Sequence, residues 1–307
     1  MKIVVIGARG FVGQRLCDLL MADDKISELV AIDQIPVNQE PSSDPRLREF
    51  AGDFADKALF DREISGASTV YMLASILGGA AEANYALARR VNVDSTLSLI
   101  EALRDHNPAT RLVFASTVAV FSKPLPNPVT DSTPTGPTMV YGAHKLMMEA
   151  AISNFAARGW LDGVSLRLSG VMARDGADAR QKSAFMSRLF YAVMRGEDIV
   201  LPVSPEGQTW LTSVDAAARN FAHAGGLATS ALGKDRAFTL PALHLSFAEL
   251  VEALFRRFPE SRSKIAYEPD ADLMSLFGSY PPIETGIADR LGFYRDEDAD
   301  ALVRQSF

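Results

Sequence analysis

Tyr141 and Lys145 stand four residues apart in the stretch from Thr138 to Glu149, TMVYGAHKLMME. Residues four apart on a helix share a face, so this phenol and ammonium are either an acid/base pair or two ordinary neighbours. The spacing alone does not decide between them. A second candidate is the stretch Gly7 to Gly13, GARGFVG, which follows the apolar run Lys2 to Ile6 and opens a helical pattern from Phe11 to Met21. A strand, a glycine turn and a helix in that order make a site for the pyrophosphate of a dinucleotide. Gly7 permits the tight turn, Gly10 lets the backbone approach the phosphates, and Gly13 lets helix and strand pack closely. The helix N-terminus adds amide donors and a partial positive charge. Asp33, about 20 positions on at the end of a second apolar run, would accept hydrogen bonds from the adenosine ribose and repel a 2′-phosphate. Arg9, inside the loop, is able to reach a 2′-phosphate. With Asp33 in place and no arginine immediately after it, NAD is expected rather than NADP.

These residues need a scaffold that ends its strands at one edge. Short apolar runs around residues 2–6, 28–33, 47–53, 68–75, 111–117 and 163–169 read as six strands, and most are separated by stretches with helical spacing. One long helix is expected from about Glu82 to Leu103, and another begins near Tyr141. Strands alternating with helices indicate an α/β fold of Rossmann type, a doubly wound parallel sheet with ligands beyond the carboxyl ends of its strands. Residues 1–168 are assigned to an NAD-binding domain. Residues 169–307 are assigned mostly to a smaller C-terminal substrate-binding lobe, with some segments returning to the sheet. Ser122 to Pro137 carries five prolines and reads as a surface loop.

Composition narrows the partners. The 307 residues are 48% hydrophobic and 22% charged, as in an ordinary globular protein, and the net charge is −7. With no Lys/Arg-rich run, no nucleic-acid partner is expected. A small anionic substrate needs only one or two local arginines. Cys17 is the one cysteine and His106, His144, His223 and His244 are scattered, so neither a disulfide nor a metal site is expected. Cys17 reads as a small apolar group on the first helix. No leader or membrane span is legible, and a cytoplasmic location is expected.

Together these stretches resemble the extended short-chain dehydrogenase/reductase superfamily. The resemblance is carried by GARGFVG, Asp33, GDFAD from Gly52, LAS at Leu73 to Ser75, VNVDST from Val91, FASTVAVF from Phe114 and YGAHK from Tyr141. It implies that Gly7, Arg9, Gly10, Phe11, Val12, Gly13 and Asp33 hold the dinucleotide. Asp53 and Phe54 would meet the adenine, Leu73, Ala74, Ser75 and Asn92 would line the cofactor, and Tyr141 and Lys145 would hold the nicotinamide ribose. It also implies that Tyr141 is the general acid/base, with Lys145 lowering its pKa, and that Thr117, with Ser116 beside it, bonds the reacting oxygen. A hydroxyl would then lose its proton to Tyr141 as hydride leaves the same carbon.

Within the superfamily the resemblance separates reactions. Dehydratases carry an acidic pair after the catalytic threonine, where this chain has Val118 and Ala119. Many nucleotide-sugar enzymes place an asparagine three residues after the sixth-strand arginine, where Arg167 is followed by Gly170. More narrowly, GGAAEANYALARRVNVDST, FASTVAVFSKPLP, GWLDGVSLRL, TWLTSVDAAARNFAHA and LPALHLSFAELVEAL resemble the D-erythronate dehydrogenases. That resemblance implies NAD-dependent oxidation of a secondary hydroxyl, at C2, of a small sugar acid. The alternatives are an epimerase that keeps its NAD and a non-catalytic NAD-sensing protein. A hydrolase lacks its Gly-x-Ser-x-Gly elbow here. A carboxylate needs a cation, and Arg174 is the first choice, against the alternative of a solvated loop charge. Ser75, Thr117, Tyr141, Ser183 and Trp210 complete the expected substrate pocket, with packing the alternative for Trp210. Arg180 and Lys182 are expected to face solvent. The superfamily also implies a homodimer through the two long helices.

Overall fold

The computed structural model describes residues 1–34, 44–54, 56–176 and 182–307. The chain divides into two compact units. One comprises Met1–Phe121, Thr135–Leu168 and Ala218–Thr239, the other Ser122–Pro134, Ser169–Ala217 and Leu240–Phe307. The proline-rich segment 122–134 goes with the second unit and residues 218–239 go with the first.

The first unit begins with β1 (Lys2–Ile6), α1 (Phe11–Met21), β2 (Glu28–Asp33), β3 (Leu47–Ala51), α2 (Lys57–Ile64) and β4 (Thr69–Met72). It continues with α3 (Gly78–Ala83), α4 (Tyr85–Arg89), α5 (Thr96–His106), β5 (Arg111–Thr117), α6 (Val140–Ala157) and β6 (Asp162–Leu168). A further strand, Ala237–Thr239, pairs with β6. Across the sheet the order is 237–239, β6, β5, β4, β1, β2, β3, and every pairing is parallel. This is the doubly wound α/β sheet that the sequence predicts. Helices cover both faces, so inner strands must be apolar on both sides; accordingly every residue of β5 is buried, and so is all of β1 after Lys2. The order reverses between β1 and β4, which places the turns after these strands side by side, at the point where such sheets bind ligands. Backbone hydrogen bonds tie them: Leu73 and Ala74 donate to the Ile6 carbonyl at 2.9 and 3.1 Å, and Gly7 donates to Ile32 at 2.8 Å.

The single helix expected from Glu82 to Leu103 is instead three pieces with a π turn, Arg90–Ser95, between α4 and α5. Asn84 breaks the run by capping α4, its side chain accepting from the Leu87 amide at 3.0 Å. The π turn adds a residue to the helical circuit and brings Asn92, 2% exposed, into the interior.

The second unit is built on a three-stranded sheet ordered Leu243–Ser246, Gln208–Ser213, Gly170–Met172 and a two-stranded one, Ile265–Tyr267 with Ile199–Leu201. Its helices Ala184–Arg195 and Phe247–Arg257 bury Phe185, Leu189, Phe190, Phe247, Leu250 and Leu254 in one core. Helix Phe247–Arg257 starts at a full capping box, Ser246 with Glu249, worth about 1 kcal/mol. The proline-rich segment is not wholly surface: Val129 is fully buried and bridges to Ile283. Among the described residues no helix is long and apolar enough to cross a membrane.

Candidate active site

The glycine loop is shaped for a backbone-lined cradle. Gly7 has φ +89°, and a Cβ there would lie 2.6 Å from the Ala74 nitrogen; one on Gly13 would lie 2.1 Å from the Gly7 carbonyl oxygen. Gly10 caps α1 without any side-chain hydrogen bond, so the first-turn amides of Phe11, Val12 and Gly13 keep the positive end of the helix directed at the loop. This loop fits a dinucleotide pyrophosphate. Asp33 ends β2 beside it, its Oδ2 accepting from the Arg9 amide at 2.9 Å. The Arg9 guanidinium lies on Glu49 of β3, 2.5 Å from its Oε1.

Around the far side of the loop, Asp53 pairs with Arg90 at 3.2 Å in a largely exposed contact. The Phe54 side chain is 3% exposed and packs into the core. Asn92 acts as a clamp on the segment after β4. Its Oδ1 accepts from the Ser75 hydroxyl at 2.9 Å and the Ile76 amide at 2.8 Å, and its Nδ2 donates to the Ile76 carbonyl at 2.9 Å. Asn92 therefore holds Ser75 and Ile76 with every polar atom of its side chain engaged.

Tyr141 and Lys145 lie in the first two turns of α6, which packs on β5 and β6. The Lys145 Nζ sits 4.5 Å from the centre of the Phe114 ring and 5.7 Å from that of Tyr141. Lys145 is 2% exposed, and this burial pushes its ammonium down to about 7, against the raising effect of Glu149 one turn further along α6. Thr117 closes β5 at 9% exposure, its Oγ1 accepting from the Ala119 amide at 3.1 Å. The sequence reading missed Gly142. A Cβ there would lie 2.4 Å from the Ala119 carbonyl oxygen, so glycine lets α6 approach the turn that carries Thr117. Its only signal is its place directly after Tyr141.

Ser116 does not join Thr117. Consecutive residues of a strand point to opposite faces. The Ser116 hydroxyl instead donates to Glu149 Oε1 at 2.5 Å, and Glu149 is held by Arg167 of β6 through Nε at 3.0 Å and Nη2 at 2.7 Å. This buried trio lies beneath the catalytic candidates, and neither Glu149 nor the pairing of Arg167 was read from the sequence.

In the second unit, Arg174 is partly buried and its amide donates to the Ser187 hydroxyl at 3.1 Å. Ser183 stands at the start of helix Ala184–Arg195, its hydroxyl making no cap. Trp210 takes the packing alternative. It is 1% exposed, donates Nε1 to the Pro281 carbonyl at 2.7 Å and packs 4.5 Å from the Tyr280 ring, so it is core. Arg180 lies outside the described residues. Lys182, expected in solvent, is exposed but lines a cavity of about 370 Å³ with Phe185, Arg188, Pro202, Asp270 and Asp272. Cys17 is half-buried, and burial pushes its thiol up to about 12, which disfavours the thiolate.

Comparison with known proteins identifies the family. Residues 3–228 match the NAD dependent epimerase/dehydratase family. The chain is 31% identical to a D-erythronate dehydrogenase of Haemophilus influenzae, over 99% of this chain and 98% of that protein. It is also 31% identical to one of Cupriavidus necator, over 99% and 97%. A solved nucleoside-diphosphate-sugar epimerase from Agrobacterium tumefaciens superposes with a TM-score of 0.87 at 27% identity, covering 99% of this chain and 92% of that one.

Proposed function

Because the chain belongs to the NAD dependent epimerase/dehydratase family, we propose that this NAD-dependent oxidoreductase oxidises the C2 hydroxyl of a small sugar acid, D-erythronate or a close relative, to the 2-oxo acid with release of NADH. The observation that carries this reading is the 31% identity to D-erythronate dehydrogenases along nearly the whole chain, joined to a threonine, tyrosine and lysine at the carboxyl end of β5 and the start of α6.

In this reading the first unit binds the dinucleotide and the second selects the substrate. The glycine loop holds the pyrophosphate, Asp33 the adenosine ribose, and Lys145 the nicotinamide ribose. When bound, NAD supplies the hydride acceptor. Thr117 orients the substrate hydroxyl, and Tyr141 takes its proton as general base. A tyrosine with an ordinary pKa near 10 is a weak base at neutral pH, and a protonated Lys145 in the ring's vicinity favours the phenolate. Arg174 is the proposed partner of the substrate carboxylate, and Arg188 is a second cation of the same unit. A homodimer is proposed through α4 and α6, where Tyr85 and Met147 are 57% and 52% exposed.

The test is NADH absorbance with NAD and a panel of four- to six-carbon sugar acids. NADH should form with a four-carbon acid, and Tyr141→Phe should lower kcat by about a thousandfold without moving the melting temperature. An epimerase would return its hydride, so tightly held NAD and no net NADH with any acid would replace this reading with that one.

A further inference from the structure

Arg9 raises a question that the glycine loop alone leaves open. A guanidinium beside the adenosine ribose is the usual partner of a 2′-phosphate, so its presence argues for NADP in a chain whose Asp33 argues for NAD. The fold resolves the conflict through β3. Parallel pairing of β2 and β3 sets Ala31 opposite Glu49 and Asp33 opposite Ala51. Side chains alternate along a strand, so Asp33 and Glu49 project from the same face, the one that carries the glycine loop. Glu49 reaches Arg9 Nη2 at 2.5 Å, with the side chains only 19% and 27% exposed. Among the described residues, the charges nearby have partners of their own. Asp33 accepts from the Arg9 amide. Arg48, on the opposite face of β3, pairs with Glu28 at 2.5 Å and Glu63 at 3.3 Å. On α1, the Cys17 thiol feels Asp18 and Glu49 in one direction and Arg9 in the other, after the larger effect of its burial.

We propose that Glu49 is a specificity-determining residue, which holds the Arg9 guanidinium and so denies a 2′-phosphate its cation, keeping the site for NAD. To meet that phosphate, Arg9 must leave Glu49, and a half-buried carboxylate is then left without its partner close to an incoming dianion. NAD, with a 2′-hydroxyl, asks nothing of Arg9. Asp33 and Glu49 thus act on the same discrimination by different routes: Asp33 favours the hydroxyl directly, and Glu49 disarms Arg9, a nearby cation that would favour the phosphate.

The inference rests on the dinucleotide site and not on the substrate, so it is tested by binding alone. Isothermal titration with NAD and NADP gives the ratio of the two dissociation constants for wild type, Glu49→Gln, Glu49→Ser and the double variant Glu49→Gln/Arg9→Gln. Freeing the guanidinium should lower the NADP-to-NAD ratio about tenfold in both single variants, the scale of one charge-assisted contact at a partly exposed site. The double variant should return to the wild-type ratio or above it. An unchanged ratio in folded Glu49→Gln and Glu49→Ser would overturn the proposal. So would a gain that survives loss of Arg9, because Glu49 would then act by its own charge rather than through the guanidinium.

Discussion

Strands β5 and β6 run side by side, and each end of the pair carries a buried arginine–carboxylate contact in strand register. At the amino end Arg111 faces Asp162; at the carboxyl end Ser116 faces Arg167, which binds Glu149. The amino-end group closes on itself. Asp162 accepts from Arg111 at 2.8 Å, Thr229 at 2.7 Å and Arg236 at 2.9 Å, and Arg111 also donates to the carbonyls of Ala224 and Leu227 and to the Thr229 hydroxyl. Burial raises the Asp162 carboxyl, but these hydrogen bonds outweigh it and hold the group below its ordinary value. Its product is mechanical: segment 218–239 is pinned to the sheet. The carboxyl-end group has the same chemistry, but Glu149 shares α6 with Lys145 one turn away, so its charge is felt by the buried Lys145 ammonium and raises its pKa. The same kind of contact is a fastener at one end and an electrostatic setting at the other.

Three substitutions sharpen or break that contrast. Asp162→Ala should have the largest effect, a loss of about 3–5 kcal/mol in unfolding free energy, because it strands two buried guanidiniums. Activity per folded molecule should stay within about threefold; a larger fall, measured with the folded fraction fixed by circular dichroism, would make the amino end functional too. Lys145→Met comes next. The folded protein holds this ammonium near 7 and the unfolded chain near 10.5, so below about pH 7 both are charged and the fold bears the whole penalty of burial. The penalty fades as pH rises towards 10.5. Without NAD, Lys145→Met should therefore be more stable than wild type at pH 6, on the order of 2 kcal/mol, with the gap closing in alkaline melts. A constant gap would mean that Lys145 is not the titrating group.

Glu149→Gln, which disturbs the fold less than Asp162→Ala because the amide still accepts from Arg167, should have the most specific effect. Removing the carboxylate takes away the influence that raises the Lys145 pKa and leaves Arg167 to lower it further. In the proposed role of Lys145 the charged form holds NAD, so NAD affinity should begin to weaken at a pH about one unit lower than in wild type. A variant that merely loosened the fold would weaken binding at every pH and leave that onset where it was.

The parts of this molecule that could be read from the sequence are those fixed by neighbours along the chain. A glycine turn after an apolar run, an aspartate at the end of the next strand and Tyr-x-x-x-Lys are each local, and the sheet follows from their repeated spacing. What escaped the reading depends on pairings distant in sequence. Glu49 meets Arg9 only because β3 joins β2 in one register, and Glu149 meets Arg167 only because α6 packs on β6. Residues 237–239 are apolar like many core segments, and nothing local marks them as the strand that joins β6. Ser116 was legible in principle, since alternation along a strand lets only one of two adjacent hydroxyls face the site. Trp210 was ambiguous because an indole serves a core and a pocket equally well, and only its burial and its bond to Pro281 separate the two.

The most direct test of the account is to supply D-erythronate deuterated at C2 with NAD and weigh the dinucleotide released. The account predicts free reduced cofactor carrying the deuterium, formed by wild type and not by Tyr141→Phe. Unlabelled NADH would contradict oxidation at C2, and label found only in recovered sugar acid, with no free reduced cofactor, would contradict a dehydrogenase.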